Sequence, residues 1–321
     1  MEKRRLGNTS LEVAPLAFGG NVLGWTADEA ASFGLLDRFI EGGFNLVDSA
    51  NVYSAWVPGH QGGESETVIG NWLKRGTVRR EDVVIVTKVG ISMTDSFDMD
   101  KASLRRDKII EGIEDSLRRL QTDYVDLYLS HIDDGKTPLE ETLAAHDALV
   151  SAGKVRFIGA SNYSKSRLEE ALSVSADRDL AAYAVLQPHY NLYHRQDYEG
   201  ELQDFCVARN IGVITYFSLA NGFLTGKYRS AQDLEGSSRG HHVKDMLNER
   251  GFRILAALDK VAAELDARPS QVALAWLAAQ PGVVAPIASA TSLEQLNEIM
   301  GCTELSLSDD QIQCLNQSGQ K

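Results

Sequence analysis

Cysteine is scarce. Cys206, Cys302 and Cys314 stand far apart in 321 residues, with no C-x-x-C spacing. An odd, scattered set fits reduced thiols in a cytoplasmic protein better than a disulfide framework or a zinc site. Positive charge is short as well: 32 Lys and Arg against 45 Asp and Glu leave a net charge of −13. Nucleic acid or an anionic membrane as partner would need clustered cations, so neither is expected. No apolar run reaches the roughly 18 residues of a membrane span. The start, MEKRRLGNTS, has basic residues but no apolar stretch behind them, which reads against a signal peptide. No Pro-, Ser- or Gly-rich linker divides the chain, so residues 1–321 are expected to form one domain. His241 and His242 lack a carboxylate or cysteine at ligand spacing, and no metal site is expected.

What is present is an alternation. Short β-branched apolar runs stand at LAFGG (16–20), NLVDSA (45–50), VVIVTKV (83–89), YVDLYLSH (124–131), VRFIGAS (155–161), AVLQPHYN (184–191), IGVITYFSL (211–219) and VVAPIASA (283–290). Amphipathic helical stretches separate them, such as 28–43 and 138–153, the second with Pro near its first turn and Gly at its end. Eight strand–helix alternations point to a (β/α)8 TIM barrel, an α/β fold. No G-x-G-x-x-G follows any run, which reads against a Rossmann sheet. Gly7-Asn8-Thr9-Ser10 predicts an N-terminal β-hairpin, and Phe252–Asp266 and Ser308–Gln317 predict extra C-terminal helices. The irregular stretch Thr225–Leu247 reads as a disordered loop or a lid.

In such a barrel the active site forms at the C-terminal strand ends. Polar residues there are Asp48, Lys88, His131, Ser161-Asn162, Gln187 and Tyr216, with Tyr53 in the loop beyond Asp48. Each alone has a structural explanation: a helix cap for an acid, a hydrogen-bonded core position for a histidine. Asp, Lys and His on three successive strands around a tyrosine form a stronger pattern. Asp48 can pair with Lys88, and the cation is expected to lower the Tyr53 pKa from about 10. His131 can then direct a carbonyl oxygen toward Tyr53, which protonates the developing oxyanion. Trp25 and Trp56 are candidates for an apolar substrate pocket beside Tyr53 and His131. Glu64 and Glu66 read as acids at a helix N-terminus, and His189 reads as structural.

These same residues carry a resemblance. RRLGNTSLEVAPLAFGG, the D-x-A-x-x-Y of VDSANVY, the TK of IVTKV, the histidine of YLSH, IGASNYS, LQPHYNLY, YFSLANGFLTGKY and PIASATSLEQL, in this order, resemble the aldo-keto reductase superfamily over nearly the whole chain. The resemblance implies an NAD(P)H-dependent oxidoreductase that reduces an aldehyde or ketone, sugar-like carbonyls among them. It implies a catalytic tetrad of Asp48, Tyr53, Lys88 and His131, with Tyr53 as the acid. Ser161, Asn162 and Gln187 match the positions that hold the carboxamide, and Tyr216 the aromatic that stacks on the nicotinamide. The implied cofactor-binding set also includes Gly20, Asn21, Asp48, Phe217, Ser218, Leu219, Gly222, Lys227, Ser289, Ala290, Thr291 and Gln295.

Two departures bear on the cofactor. Tyr216-Phe217-Ser218-Leu219 stands where relatives often read Y-S-P-L, so the pyrophosphate contacts are expected to shift or to use backbone. Residues 288–299 contain no Lys or Arg to meet an adenosine 2′-phosphate. NADP(H) remains the expectation and NAD(H) the alternative, with Lys227, Arg229, Arg239 and Lys244 as candidate substitute cations. Some relatives are regulatory subunits of membrane channels, so a non-catalytic nucleotide-binding subunit is the alternative function. A barrel lyase or isomerase with Lys88 as Schiff base fits less well, because Asp48 and Tyr53 neighbour it. Substrate and oligomeric state are set by loops and surface, which the motifs leave open.

Overall fold

A computed structural model describes residues 1–91, 101–236 and 240–320. Arg239, one of the four candidate cations, lies outside the described residues. After a hairpin of β1 (Arg4–Arg5) and β2 (Glu12–Val13), eight parallel strands close into a barrel. They are β3 (Ala17–Gly19), β4 (Leu46–Asp48), β5 (Val84–Val89), β6 (Val125–Ser130), β7 (Val155–Ser161), β8 (Tyr183–Gln187), β9 (Gly212–Thr215) and β10 (Val283–Ala288). Each lies within or at the edge of one of the eight apolar runs. Strands bury both faces here, one against the barrel interior and one against helices, which is why the runs are apolar throughout.

The helices are α1 (Glu29–Glu41), α2 (Glu64–Lys74), α3 (Arg106–Leu120), α4 (Leu139–Ser151), α5 (Lys165–Arg178), α6 (Glu201–Ala208), α7 (Gly240–Val243), α8 (Glu249–Glu264), α9 (Pro269–Ala278), α10 (Leu293–Met300) and α11 (Asp309–Ser318). Local signals start them. The Asp28 side chain accepts from the Ala31 N–H ahead of α1, Ser164 from Arg167 ahead of α5, and Ser292 from Gln295 ahead of α10. The two predicted extra helices are α8 and α11.

Two packed layers result. Leu46, Val84, Val86, Leu127, Leu129, Val185 and Ile214 fill the barrel, and Leu6, Leu11 and Val13 of the hairpin segment join them. The hairpin therefore plugs one end. Asn45 ties it down: its side chain accepts from the Ala14 N–H at 3.0 Å and donates to the Glu12 carbonyl at 2.8 Å. The larger core lies between the strands and the helices.

Strand period two then places the polar residues. Leu46 faces inward, so Asp48 does; Val84 and Val86 put Lys88 inward; Leu127 and Leu129 put His131 inward. Val185 does the same for Gln187, and Ile214 for Tyr216.

The described residues of the stretch Thr225–Leu247 are folded, which counts against the disordered loop of its expectation. Its described residues hold short helical turns at Ala231–Leu234 and Lys244–Met246 on either side of α7, and Tyr228, Val243 and Met246 are buried. Asp233 organises the first turn by accepting from the Arg229 and Ser230 N–H groups, both at 2.8 Å. Tyr228, Val243 and Met246 follow no helical or strand period, yet they join the larger core.

Two histidines whose folded state disfavours protonation, the buried His146 and the half-buried His131, predict a pH dependence of stability. His146 on α4 is fully buried and its pKa falls to about 3; His131 is pushed well below its usual value. The unfolded chain therefore takes up protons that the folded chain does not. Stability from these groups is complete above about pH 6.5 and declines as pH falls, His146 alone costing up to about 1.4 kcal/mol per pH unit. The melting temperature should drop between about pH 6.5 and 5, before carboxylates titrate. His146→Gln should flatten that slope; an equally steep slope in the variant would remove His146 as its source.

Candidate active site

Asp48 closes β4 and is buried with Lys88 of β5; the two are 1% and 0% exposed. Lys88 Nζ lies 2.8 Å from Asp48 Oδ1 and donates to the Ser49 carbonyl at 2.7 Å. Its third partner is the Tyr53 hydroxyl at 2.9 Å, which itself donates to Asp48 Oδ2 at 2.9 Å. Three acceptors satisfy the three N–H groups of a buried ammonium, the condition for keeping it charged inside a barrel. Burial lowers the Lys88 pKa, while Asp48 and then Glu66 oppose that. The ammonium also lies 4.6 Å from the Tyr53 ring centroid.

The proton state of Tyr53 corrects the expectation from sequence. Its pKa is raised well above 10, by burial first and by the Asp48 charge next. Asp48 stands as close to the hydroxyl as Lys88 does and accepts its hydrogen bond, so the carboxylate offsets the cation. The resting phenol holds its proton, and Lys88 is placed to stabilise the phenolate only as that proton leaves.

His131 follows β6 and its ring lies 6.4 Å from that of Tyr53. Burial, then the Lys88 charge, keeps the imidazole neutral. Its Nδ1 is buried and has no hydrogen-bond partner among the described residues. Trp25 and Trp56 meet edge to face at 5.6 Å, and Trp56 stands 6.0 Å from Tyr53, making an aromatic wall beside the hydroxyl.

A second polar group adjoins the first. Gln187 Nε2 donates to Asp48 Oδ1 at 2.7 Å, and Ser161 Oγ donates to the Gln187 carbonyl at 2.9 Å. Asn162, held at φ 57, donates to the His131 carbonyl at 3.0 Å and accepts from the Tyr216 hydroxyl at 2.7 Å. A third group joins the ends of β3 and β10. Ser289 Oγ donates to Asn21 Oδ1 at 2.6 Å, and Ala290 is buried. A Cβ at Gly20 would lie 2.7 Å from the Asp48 carbonyl, so that turn needs glycine. Thr291 donates to Gln295 Oε1 through its N–H at 3.0 Å and its hydroxyl at 3.1 Å.

After β9 the backbone makes an unusual turn, with positive φ at Phe217, Ala220, Asn221 and Gly222. Phe217 is exposed, Leu219 half-buried, and the Ser218 hydroxyl donates inward to the Thr215 carbonyl at 2.9 Å. That hydroxyl is engaged, and so are the Ala220 and Gly222 N–H groups, which donate to the Phe217 and Leu219 carbonyls at 2.7 and 2.9 Å. Lys227 is exposed, with its ammonium 4.9 Å from the Tyr228 ring centroid and near Gly222. Arg229 is paired with Asp259 through two hydrogen bonds of 2.7 and 2.8 Å, and Lys244 is exposed.

Glu66 departs from its expected role. It is fully buried behind β5, where it accepts from the Thr87 hydroxyl and, at 2.7 Å, from Arg119 Nε. A period-3.6 reading of α2 puts Glu66 on the same face as Ile69, Gly70 and Leu73, which is the signal that marks it as a core acid. Glu64 does sit at the helix start, accepting from the Gln61 N–H at 2.9 Å. A cavity of about 580 Å³ lies elsewhere, between α4, α5, β7 and β8, and borders none of the predicted site residues.

The sequence profile described as the aldo/keto reductase family matches residues 15–319. The chain is 33% identical to the uncharacterized oxidoreductase YrpG of Bacillus subtilis, over 98% of this chain and 95% of that protein. It is also 33% identical to a probable voltage-gated potassium channel subunit beta of Oryza sativa, covering 94% and 90%. The aldo-keto reductase AMT2 of Alternaria alternata is 31% identical, with 96% and 89% covered.

Proposed function

The chain belongs to the aldo/keto reductase family, an oxidoreductase family of carbonyl substrates, and on that premise we propose that it reduces an aldehyde or ketone with NAD(P)H, Tyr53 giving the proton. The observation that carries the reading is the Tyr53 hydroxyl, 2.9 Å from both Asp48 and Lys88 at the strand ends.

The donor set fits a nicotinamide dinucleotide. Gln187, Ser161 and Asn162 offer amide and hydroxyl groups for a carboxamide, Tyr216 a flat ring, and the turn at 217–222 the backbone N–H groups that it does not spend on its own carbonyls, as Ala220 and Gly222 do. Gly20, Asn21, Ser289, Thr291 and Gln295 would hold the remainder, with Lys227, beside Gly222, as a candidate cation. The bound cofactor would supply the hydride. Tyr53 transfers its proton to the carbonyl oxygen as charge gathers there, and Lys88 stabilises the phenolate left behind. Solvent restores the proton after product leaves. Neutral His131 directs the carbonyl oxygen to the phenol, Asp48 keeps Lys88 charged and aimed, and Trp25 and Trp56 favour substrates with an apolar group beside the carbonyl. The protein thus provides orientation and electrostatics for chemistry that belongs to the cofactor.

The test is a panel of aldehydes, ketones and sugars with NADPH and NADH, followed by nicotinamide absorbance. Failure of every carbonyl to turn over while dinucleotide binds would favour the second reading, a nucleotide-binding regulatory subunit, which the name of the rice relative motivates.

NADP(H) is the proposed cofactor, with weak discrimination. Residues 288–299 have no basic side chain, and the first turn of α10 carries Glu294, an acid where a phosphate would want a cation. The NADPH/NADH ratio of kcat/KM should therefore stay below about a thousandfold, roughly 4 kcal/mol. A larger ratio would point to a phosphate-binding cation elsewhere, and Lys227→Ala would be the first variant to compare.

A further inference from the structure

Rings lock the segment after β8 to the end of β9. His189 and Tyr216 form an isolated parallel bridge, and the Tyr216 N–H donates to the Pro188 carbonyl at 3.1 Å. Their rings stack with centroids 5.2 Å apart and planes 21° from parallel. His194 lies against the same imidazole at 4.4 Å, and Phe217 meets it edge-on at 5.4 Å. Asn191 joins the two segments again: its amide nitrogen donates to the Phe217 carbonyl at 2.8 Å and stands 3.5 Å from His189 Nε2. With its hydroxyl on Asn162, Tyr216 is held at its backbone, at the tip of its ring and on one face.

No proton transfer in the proposed reaction uses His189. Its environment suits a neutral ring: burial lowers the pKa to about 4, with His194 adding to the effect and Asp197 opposing it, while Arg250 acts on His194. A neutral imidazole gives Tyr216 a flat support and presents an edge nitrogen to Asn191. Removing it would leave one face of the Tyr216 ring unsupported, with the hydroxyl bond to Asn162 still in place, and would loosen Phe217, which holds a left-handed φ of 51°. A binding platform that must be reordered on each association loses affinity.

We propose that His189 is a positioning residue for the nicotinamide half of the cofactor, acting through Tyr216. The inference rests on the oxidoreductase reading and on Tyr216 carrying the nicotinamide ring. His189→Ala is expected to weaken NADPH and NADH alike by about fivefold, the value of one aromatic stack. ADP-ribose, which has no nicotinamide, should bind the variant as it binds the wild type. His189→Phe, which keeps a flat ring, should restore dinucleotide affinity, and His189→Leu, which keeps only bulk, should not. Fluorescence titration gives all the affinities, and melting temperatures identify any variant that folds poorly; should alanine do so, the Leu and Phe pair decides. Unchanged dinucleotide affinity in both the Ala and Leu variants would overturn the proposal. So would an equal loss for ADP-ribose, or a Phe variant as weak as Leu. Failure of the wild type to bind any dinucleotide would instead overturn the oxidoreductase reading itself.

Discussion

Tyr53→Phe is expected to lower carbonyl turnover by about a thousandfold, within the range that a positioned general acid supplies. The substitution removes one oxygen and keeps the ring that stands 6.0 Å from Trp56. Asp48 and Lys88 lose the phenol but keep each other at 2.8 Å, and Asp48 keeps Gln187. Dinucleotide affinity should therefore be little changed, which separates a lost proton donor from a collapsed site. Nicotinamide absorbance during reduction gives the rate, and quenching of protein fluorescence gives the affinity. A variant that turns over normally would end the assignment of Tyr53 as the acid. Because the resting phenol has its pKa raised, the wild-type reduction rate should show no loss from phenol ionisation on the alkaline side up to about pH 9. A fall through neutral pH that Tyr53→Phe abolishes would restore the depressed phenol that the sequence predicts.

Lys88→Met is expected to remove turnover and to destabilise the fold by about 3–5 kcal/mol, the usual cost of orphaning one member of a buried ion pair. Lys88 is wholly buried and Asp48 nearly so, hence water cannot take the place of the ammonium. Asp48 would keep hydrogen bonds from Tyr53 and Gln187, which hold it in place without neutralising its charge. Asp48→Asn combined with Lys88→Met should recover much of the stability and none of the turnover, since an uncharged pair has no desolvated charge left to balance. Urea midpoints of the two single variants and the double variant measure this coupling. Additive losses would mean that the two charges do not stabilise each other.

Both results depend on features that differ in how far the sequence reveals them. Alternation of β-branched runs with amphipathic helices predicts eight strands, and eight close the barrel. Asp48, Lys88 and His131 are legible because each continues an inward row: Leu46, then Val84 and Val86, then Leu127 and Leu129. Glu66 is harder, since an acid in the first turn of a helix has an ordinary explanation at that terminus. Only its place beside Ile69 and Gly70 on the buried face of α2 marks it as an acid of the core. The turns within 225–247 were illegible because their buried residues follow no helical or strand period.

By itself, then, the sequence determined the barrel, the presence of an N-terminal hairpin and the set of polar side chains gathered at one end. Those follow from local periodicity and from the position of each residue along its own strand. Only the tertiary structure decided the charge balance at Tyr53, the engagement of Gln187 with Asp48 and the support of Tyr216 by His189. Gln187 and Asp48 are 139 residues apart in the chain and 2.7 Å apart in space. Electrostatic and stacking energies depend on such distances, which barrel closure sets and which no local pattern encodes.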